Sequence, residues 1–152
     1  MNFKNKSRGF TLIEMLIVIT IIALLASLIL VGMGGARAKT RDSRRIADLH
    51  NVMNALELFY AKNYSYPDAS NWDGLMTALT NGGIGVTRVP KDPLSPDETY
   101  EYGVSGDNQD YALKATLETE DHALDDDVDD SVYGLDCGSG GSSTDSFYCI
   151  RP

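Results

Sequence analysis

Gly9-Phe10-Thr11-Leu12-Ile13-Glu14 opens the stretch that decides this fold. Three bases precede it, Lys4, Lys6 and Arg8, and behind it an apolar run continues to Val31, interrupted only by Thr11, Glu14, Thr20 and Ser27. A helix rises about 1.5 Å per residue, so Phe10 to Val31 is long enough to cross a hydrocarbon core of about 30 Å. An ordinary secretory signal cut at Ala36-Arg37-Ala38 fits poorly. Its apolar core would exceed the usual ~7–15 residues, and it would contain a carboxylate. A plain single-span anchor is physically sound but gives Glu14 no purpose, and a charge inside a span is costly enough to call for a partner.

The same residues resemble the prepilin pattern of type IV pilins and of the pseudopilins of type II secretion. That pattern has a short basic leader ending in glycine, here Met1 to Gly9, then Phe10, then Thr-Leu-Ile-Glu at Thr11 to Glu14, then an unbroken apolar helix. The resemblance implies cleavage between Gly9 and Phe10 by a membrane-embedded prepilin peptidase, methylation of the new amine on Phe10 by the same enzyme, and a role for Glu14 in assembly. The chemistry is coherent. Gly9 lets an extended backbone enter a protease cleft. The freed amine, with a reference pKa of about 7.7–8.0, is largely cationic near neutral pH. Glu14 can compensate its own helix N-terminus. In the reading the resemblance implies, it instead neutralises the amine of a neighbouring subunit in a low dielectric. Charge counting points the other way on orientation: five bases lie between Arg37 and Arg45, against three before the span. The resemblance places the leader in the cytoplasm and the C-terminal region outside.

The helical pattern continues past the span. Ile46, Leu49, Met53, Leu56 and Tyr60 recur at three- and four-residue steps, widened by Val52 and Phe59, while Arg41, Arg44, Arg45 and Asp48 read as an outer face. Gly32, Gly34 and Gly35 weaken the join, each by up to ~1 kcal/mol relative to alanine. They serve either close packing, through Gly32-x-x-x-Ala36, or bending. Pro67 ends the helix, and a short helix capped near Asn71 runs to Leu79 before Asn81-Gly82-Gly83. Val89 to Pro93 reads as a rigid loop. Tyr100, Tyr102 and Val104 alternate with polar residues, as do Tyr111, Leu113, Ala115 and Leu117, and Gly106-Asp107-Asn108 between them marks a β-hairpin. Further strands are expected at Ser131 to Leu135 and at Phe147 to Ile150.

The expected fold is α+β and pilin-like: a long N-terminal helix, half transmembrane and half amphipathic, packed on a small antiparallel sheet. Its divisions are a leader at 1–9, a span at 10–31, an amphipathic continuation at 32–62 and a globular region at 63–152. Tyr64-Ser65-Tyr66-Pro67 and Pro90-Lys91-Asp92-Pro93 resemble the G-type major pseudopilins.

The formal net charge is −9, and removing the leader takes it to −12. Between Asp92 and Asp136 fifteen acids face one base, Lys114, a balance that argues against a nucleic-acid binder. The basic stem from Arg37 to Arg45 is suited to facing acidic loops of neighbouring subunits. Asp125, Asp127, Asp129 and Asp136 have part of the spacing of an EF-hand loop, but Asp130 stands where the turn needs glycine. The G-type pseudopilins bind calcium in C-terminal loops, so the resemblance makes this cluster a candidate calcium site, and a solvated acidic loop is the alternative. Cys137 and Cys149 form a close pair that pairs readily in an exported chain, and many pilins close a C-terminal loop in this way.

An enzyme is not indicated. His50 and His122 are the only histidines, and there is no nucleophile–base arrangement and no phosphate-binding glycine loop. The expected function is a structural subunit of a type IV pilus-like filament, with a type II secretion major pseudopilin as the alternative. A membrane-anchored extracytoplasmic binding domain that does not polymerise is the alternative from another class. Implied partners are further copies of the chain, the prepilin peptidase and methyltransferase, the assembly machinery, and the cytoplasmic membrane before assembly.

Overall fold

The computed structural model describes residues 10–120, 122–138 and 146–152, with the side chains of 28–33 outside that set. The leader, 1–9, and the Gly-Ser run of 139–145 also lie outside it. The chain divides into two compact units, Met1–Arg37 and Ala38–Pro152. Helix α1 (Leu12–Asn63) is continuous, and its backbone stays helical through the glycines at 32–35. An added Cβ at Gly34 or Gly35 would meet nothing within 4 Å, so no described residue packs on them.

In the second unit α1 turns its apolar stripe inward. Leu49, Val52 and Leu56 are fully buried, and Ile46, Met53, Phe59 and Tyr60 pack against the core from its margin. This is the face that the three- and four-residue spacing predicts. The helix ends three residues before Tyr66-Pro67, with Tyr64 in a left-handed conformation (φ 58°) and its N–H donating to the Tyr60 carbonyl at 2.7 Å. Helix α2 (Trp72–Asn81) starts where expected. The Asn71 side chain accepts from the Gly74 N–H at 2.8 Å and caps it, while Leu75 and Leu79 drop into the core.

The sheet comprises β1 (Glu101–Val104), β2 (Tyr111–Thr116) and, after the short hairpin β3 (Ser131–Val132) and β4 (Leu135–Asp136), β5 (Phe147–Ile150). Strand order is β1-β2-β5, antiparallel throughout. Alternation sorts β2 cleanly. Tyr111, Leu113 and Ala115 meet the helices, and Ala112 lies on the opposite face with Leu135, Cys137 and Cys149. Lys114 shares that second face. It is only 6% exposed, 3.1 Å from the Glu101 carboxylate and 4.0 Å above the centre of the Phe147 ring, so its charge is met by an anion and an aromatic face.

The single strand expected at Ser131–Leu135 is instead the two arms of β3–β4. Tyr133 (φ 49°) and Gly134 (φ 83°) both adopt left-handed geometry and reverse the chain in two residues. The turn presses on the sheet at Gly103, where an added Cβ would lie 2.6 Å from the Tyr133 carbonyl oxygen.

The core is α1, α2 and one face of the sheet, so deleting its apolar volume should be felt. Leu56→Ala is expected to destabilise the chain by about 2–5 kcal/mol in denaturant unfolding. Leu58→Ala, at a side chain 55% exposed two positions along the helix, should fall within about 0.5 kcal/mol of wild type.

Candidate functional site

The N-terminus of α1 holds Thr11 and Glu14 one turn apart. Thr11 stands before the first helical turn and Glu14 is its third residue. The Glu14 carboxylate accepts from both the Thr11 N–H and the Thr11 hydroxyl, each at 2.8 Å, and the Glu14 N–H donates to the Thr11 hydroxyl oxygen at 3.3 Å. This is a reciprocal capping box, which satisfies orphan donors that every helix start carries. Of the two roles open to Glu14, compensation of its own helix end is the one seen in the single chain. The other polar side chains along the run are also closed on the helix. The Thr20 hydroxyl donates to the Ile17 carbonyl at 2.8 Å, and the Ser27 hydroxyl to the Leu24 carbonyl at 2.7 Å, the arrangement a polar residue needs where water is absent.

Around this closed polar core the large apolar side chains from Leu12 to Leu25 are 45–83% exposed, and Phe10 is 80% exposed. A continuous apolar surface of that extent marks a region that is covered in use. Among the described residues no helix is long and apolar enough to cross a membrane. The part of the run described with side chains, Leu12 to Ser27, rises about 24 Å, short of a ~30 Å core. The remainder of the expected span falls among the side chains of 28–31, outside the description.

The second element is a buried ion cluster, and it corrects the sequence reading of the stem. Arg45, expected on the outer face, is 0% exposed, as is Asp42 one turn before it. The Arg45 guanidinium donates from Nε and Nη2 to the two Asp92 oxygens at 2.7 and 3.1 Å, and from Nη1 to Asp42 and to Glu118, both at 2.7 Å. Asp42 accepts in turn from the backbone N–H of Glu118 and of Thr119, each at 2.9 Å, and from the Thr119 hydroxyl at 2.8 Å. Asp92 accepts the Leu94 N–H at 2.7 Å. Arg41 also pairs with Glu118, its Nε at 2.6 Å. Hydrogen bonds from Arg41, then Arg45, hold the Glu118 carboxyl down to about 2, against the opposing effect of burial. Two of the five stem bases are therefore used inside the subunit, leaving Arg37, Lys39 and Arg44 exposed, the last 3.6 Å from Asp48.

The acidic loop is the third element. Asp125 ends a 3-10 turn, His122–Asp125, and lies 3.1 Å from the His122 ring. Asp127 accepts the Cys149 N–H at 2.9 Å, and Asp136 accepts the Gly138 N–H at 3.2 Å. Among the described residues no group of three or more acidic, histidine or cysteine side chains comes together to hold a metal ion. Cys137 and Cys149 form the expected disulfide, with Cα atoms 5.8 Å apart. His50 is exposed on α1, its Nε2 3.4 Å from the Tyr148 hydroxyl.

Residues 4–30, which contain the capping box and the exposed apolar helix, match the prokaryotic N-terminal methylation motif. The chain is 32% identical over 112 residues to the type II secretion system core protein G of Vibrio cholerae serotype O1, covering 68% of this chain and 75% of that one. It belongs to the type IV pilin and type II secretion pseudopilin family. The core protein G of Escherichia coli strain K12 is similar at 31% identity over 106 residues, covering 64% of this chain and 73% of that one. The type IV wide pilus major component PilA4 of Thermus thermophilus is 40% identical over a shorter 62 residues, covering 41% of this chain and 47% of that one. No solved structure matches. As a member of this family the chain is a structural filament subunit and not an enzyme.

The ion cluster sets two expectations for unfolding measurements. Arg45→Met leaves Asp42 and Asp92 buried without their countercharge, so it should destabilise by about 3–5 kcal/mol. The Glu118 carboxyl titrates lower in the folded chain than its ordinary 4.5, so the unfolded state binds more protons between the two values. Stability contributed by Glu118 is therefore present above about pH 4.5 and lost as pH falls towards 2. Glu118→Gln should flatten that part of the acid-unfolding profile.

Proposed function

We propose that the chain is synthesised as a prepilin with a leader at 1–9, a membrane span at 10–31, a stem at 32–62 and an extracytoplasmic globular region at 63–152. A prepilin peptidase cuts between Gly9 and Phe10 and methylates the Phe10 amine. Before assembly the chain crosses the cytoplasmic membrane once, leader inside, and it then joins a homopolymeric filament through α1. The observation that carries this reading is the pairing of a self-closed polar cap with an uncovered apolar helix. Lipid covers that surface first, and neighbouring helices cover it afterwards.

In this scheme the Thr11–Glu14 box is the resting state. When a neighbour's amine arrives, Glu14 exchanges hydrogen bonds to its own helix end for an ion pair in a low dielectric. The exposed cations Arg37 and Lys39, with Arg44 beside Asp48, are the stem charges placed to meet acidic surfaces of adjacent copies. Of the two filament classes, the secretion pseudopilus is favoured by the longer stretch of likeness to core protein G, and the Cys137–Cys149 strap favours a pilus.

Mass spectrometry of the mature protein should find a chain beginning at Phe10 and carrying one added methyl group. A chain beginning elsewhere would overturn the processing scheme. Glu14→Ala should yield a cleaved, membrane-inserted subunit that forms no filaments, read by electron microscopy of the shear fraction. Normal filaments from that variant would remove the assembly role.

A further inference from the structure

The two edges of the three-stranded sheet are unequal. Ser105 donates to the Asp110 carbonyl at 2.9 Å, and the register pairs Val104 with Tyr111 and Gly103 with Ala112. Antiparallel hydrogen bonding alternates along a strand, so Glu101 and Gly103 bond to β2 while Tyr102 and Val104 point their main-chain groups outward. The same alternation on β5 turns Cys149 outward, and there the edge is closed. Asp127 accepts the Cys149 N–H at 2.9 Å, and the Val128 N–H donates to the Cys149 carbonyl at 3.0 Å. Among the described residues nothing plays that part for Tyr102 and Val104.

A cavity of about 870 Å³ is lined by β1, by the 68–73 and 95–99 segments and by the Tyr133–Leu135 turn; on β1 itself Tyr102 is 3% exposed and Val104 half-buried. Its charge is one-sided. Asp92 and Glu101 are already paired with Arg45 and Lys114. The remaining acids are Asp68, Asp73 and Glu98, which make no ion pair among the described residues, against the single base Lys91.

We propose that this groove binds an extended, basic peptide segment of another protein, which adds as a fourth strand to β1. Main-chain hydrogen bonds to Tyr102 and Val104 supply the ladder, and alternate lysine or arginine side chains meet the carboxylates of the rim. A second copy's stem is not the occupant. Its exposed cations lie on α1, a helix whose main-chain groups are consumed internally. The proposal does not depend on which filament the subunit builds.

The test uses the full chain in neutral detergent and a fluorescein-labelled decapeptide of alternating lysine and valine, followed by anisotropy. Saturable binding is expected, weaker as salt is raised. The exposed double variant Asp68→Asn, Glu98→Gln should bind about 5-fold more weakly with an unchanged unfolding midpoint. A peptide N-methylated at every amide should not bind, because neither of its edges then keeps ladder donors. Failure of the lysine peptide to bind, equal binding of an alternating glutamate–valine peptide, or indifference to N-methylation would each overturn the proposal. So would sedimentation showing the groove filled by a second copy, through self-association that the double variant abolishes.

Discussion

The guanidinium of Arg45 joins three segments far apart in sequence: the stem helix, the loop holding Asp92, and the chain leaving β2 at Glu118. Taking such a group out of water is expensive, and only complete pairing offsets it. Pairing is complete here, since among the described residues no buried side-chain polar atom lacks a hydrogen-bond partner. The apolar contacts around Leu49, Val52 and Leu56 hold the helix to the sheet but fix its axial position weakly, because apolar burial is not directional. The Arg45–Asp92 fork requires one orientation. The cluster therefore sets the register in which the apolar stripe meets the sheet.

Much of the fold is legible because its signals are local. The α1 stripe follows from spacing, the Asn71 cap from one side chain before a periodic run, and the hairpin from alternation around Gly106-Asp107-Asn108. The ion cluster is not legible in this way. Arg41, Arg44 and Arg45 together look like a solvated basic face, and the partners that bury Arg45 lie 47 and 73 positions away. Two hints were present: Asp42 one turn before Arg45, and an acid fixed between two prolines at Pro90-Lys91-Asp92-Pro93. The β3–β4 reversal was hidden for another reason. Left-handed geometry at Tyr133 is unusual for a bulky residue, so its apolar neighbours read as one strand.

The N-terminal half follows a separate logic. Its polar groups are few and each is closed on a neighbour within one turn, Thr11 with Glu14, Thr20 on Ile17 and Ser27 on Leu24. The helix thus presents hydrocarbon outward, and its stability is largely indifferent to whether lipid or protein surrounds it. Motif and fold carry different information for that reason. The first residues carry the methylation motif, while the likeness to core protein G extends over 112 residues and so into the Ala38–Pro152 unit.

The asymmetry of the two sheet edges has a bearing on crowding. Identical sheets can stack edge to edge without limit only when each offers two unsatisfied edges, as in cross-β fibres. Here the Asp127 carboxylate and the Val128 N–H occupy the outward main-chain groups of Cys149 on one of them. The β5 edge therefore offers fewer unpaired main-chain groups than the β1 edge to a neighbouring sheet. A covered edge of this kind is a poor template for the edge-to-edge pairing that builds amyloid-like ribbons.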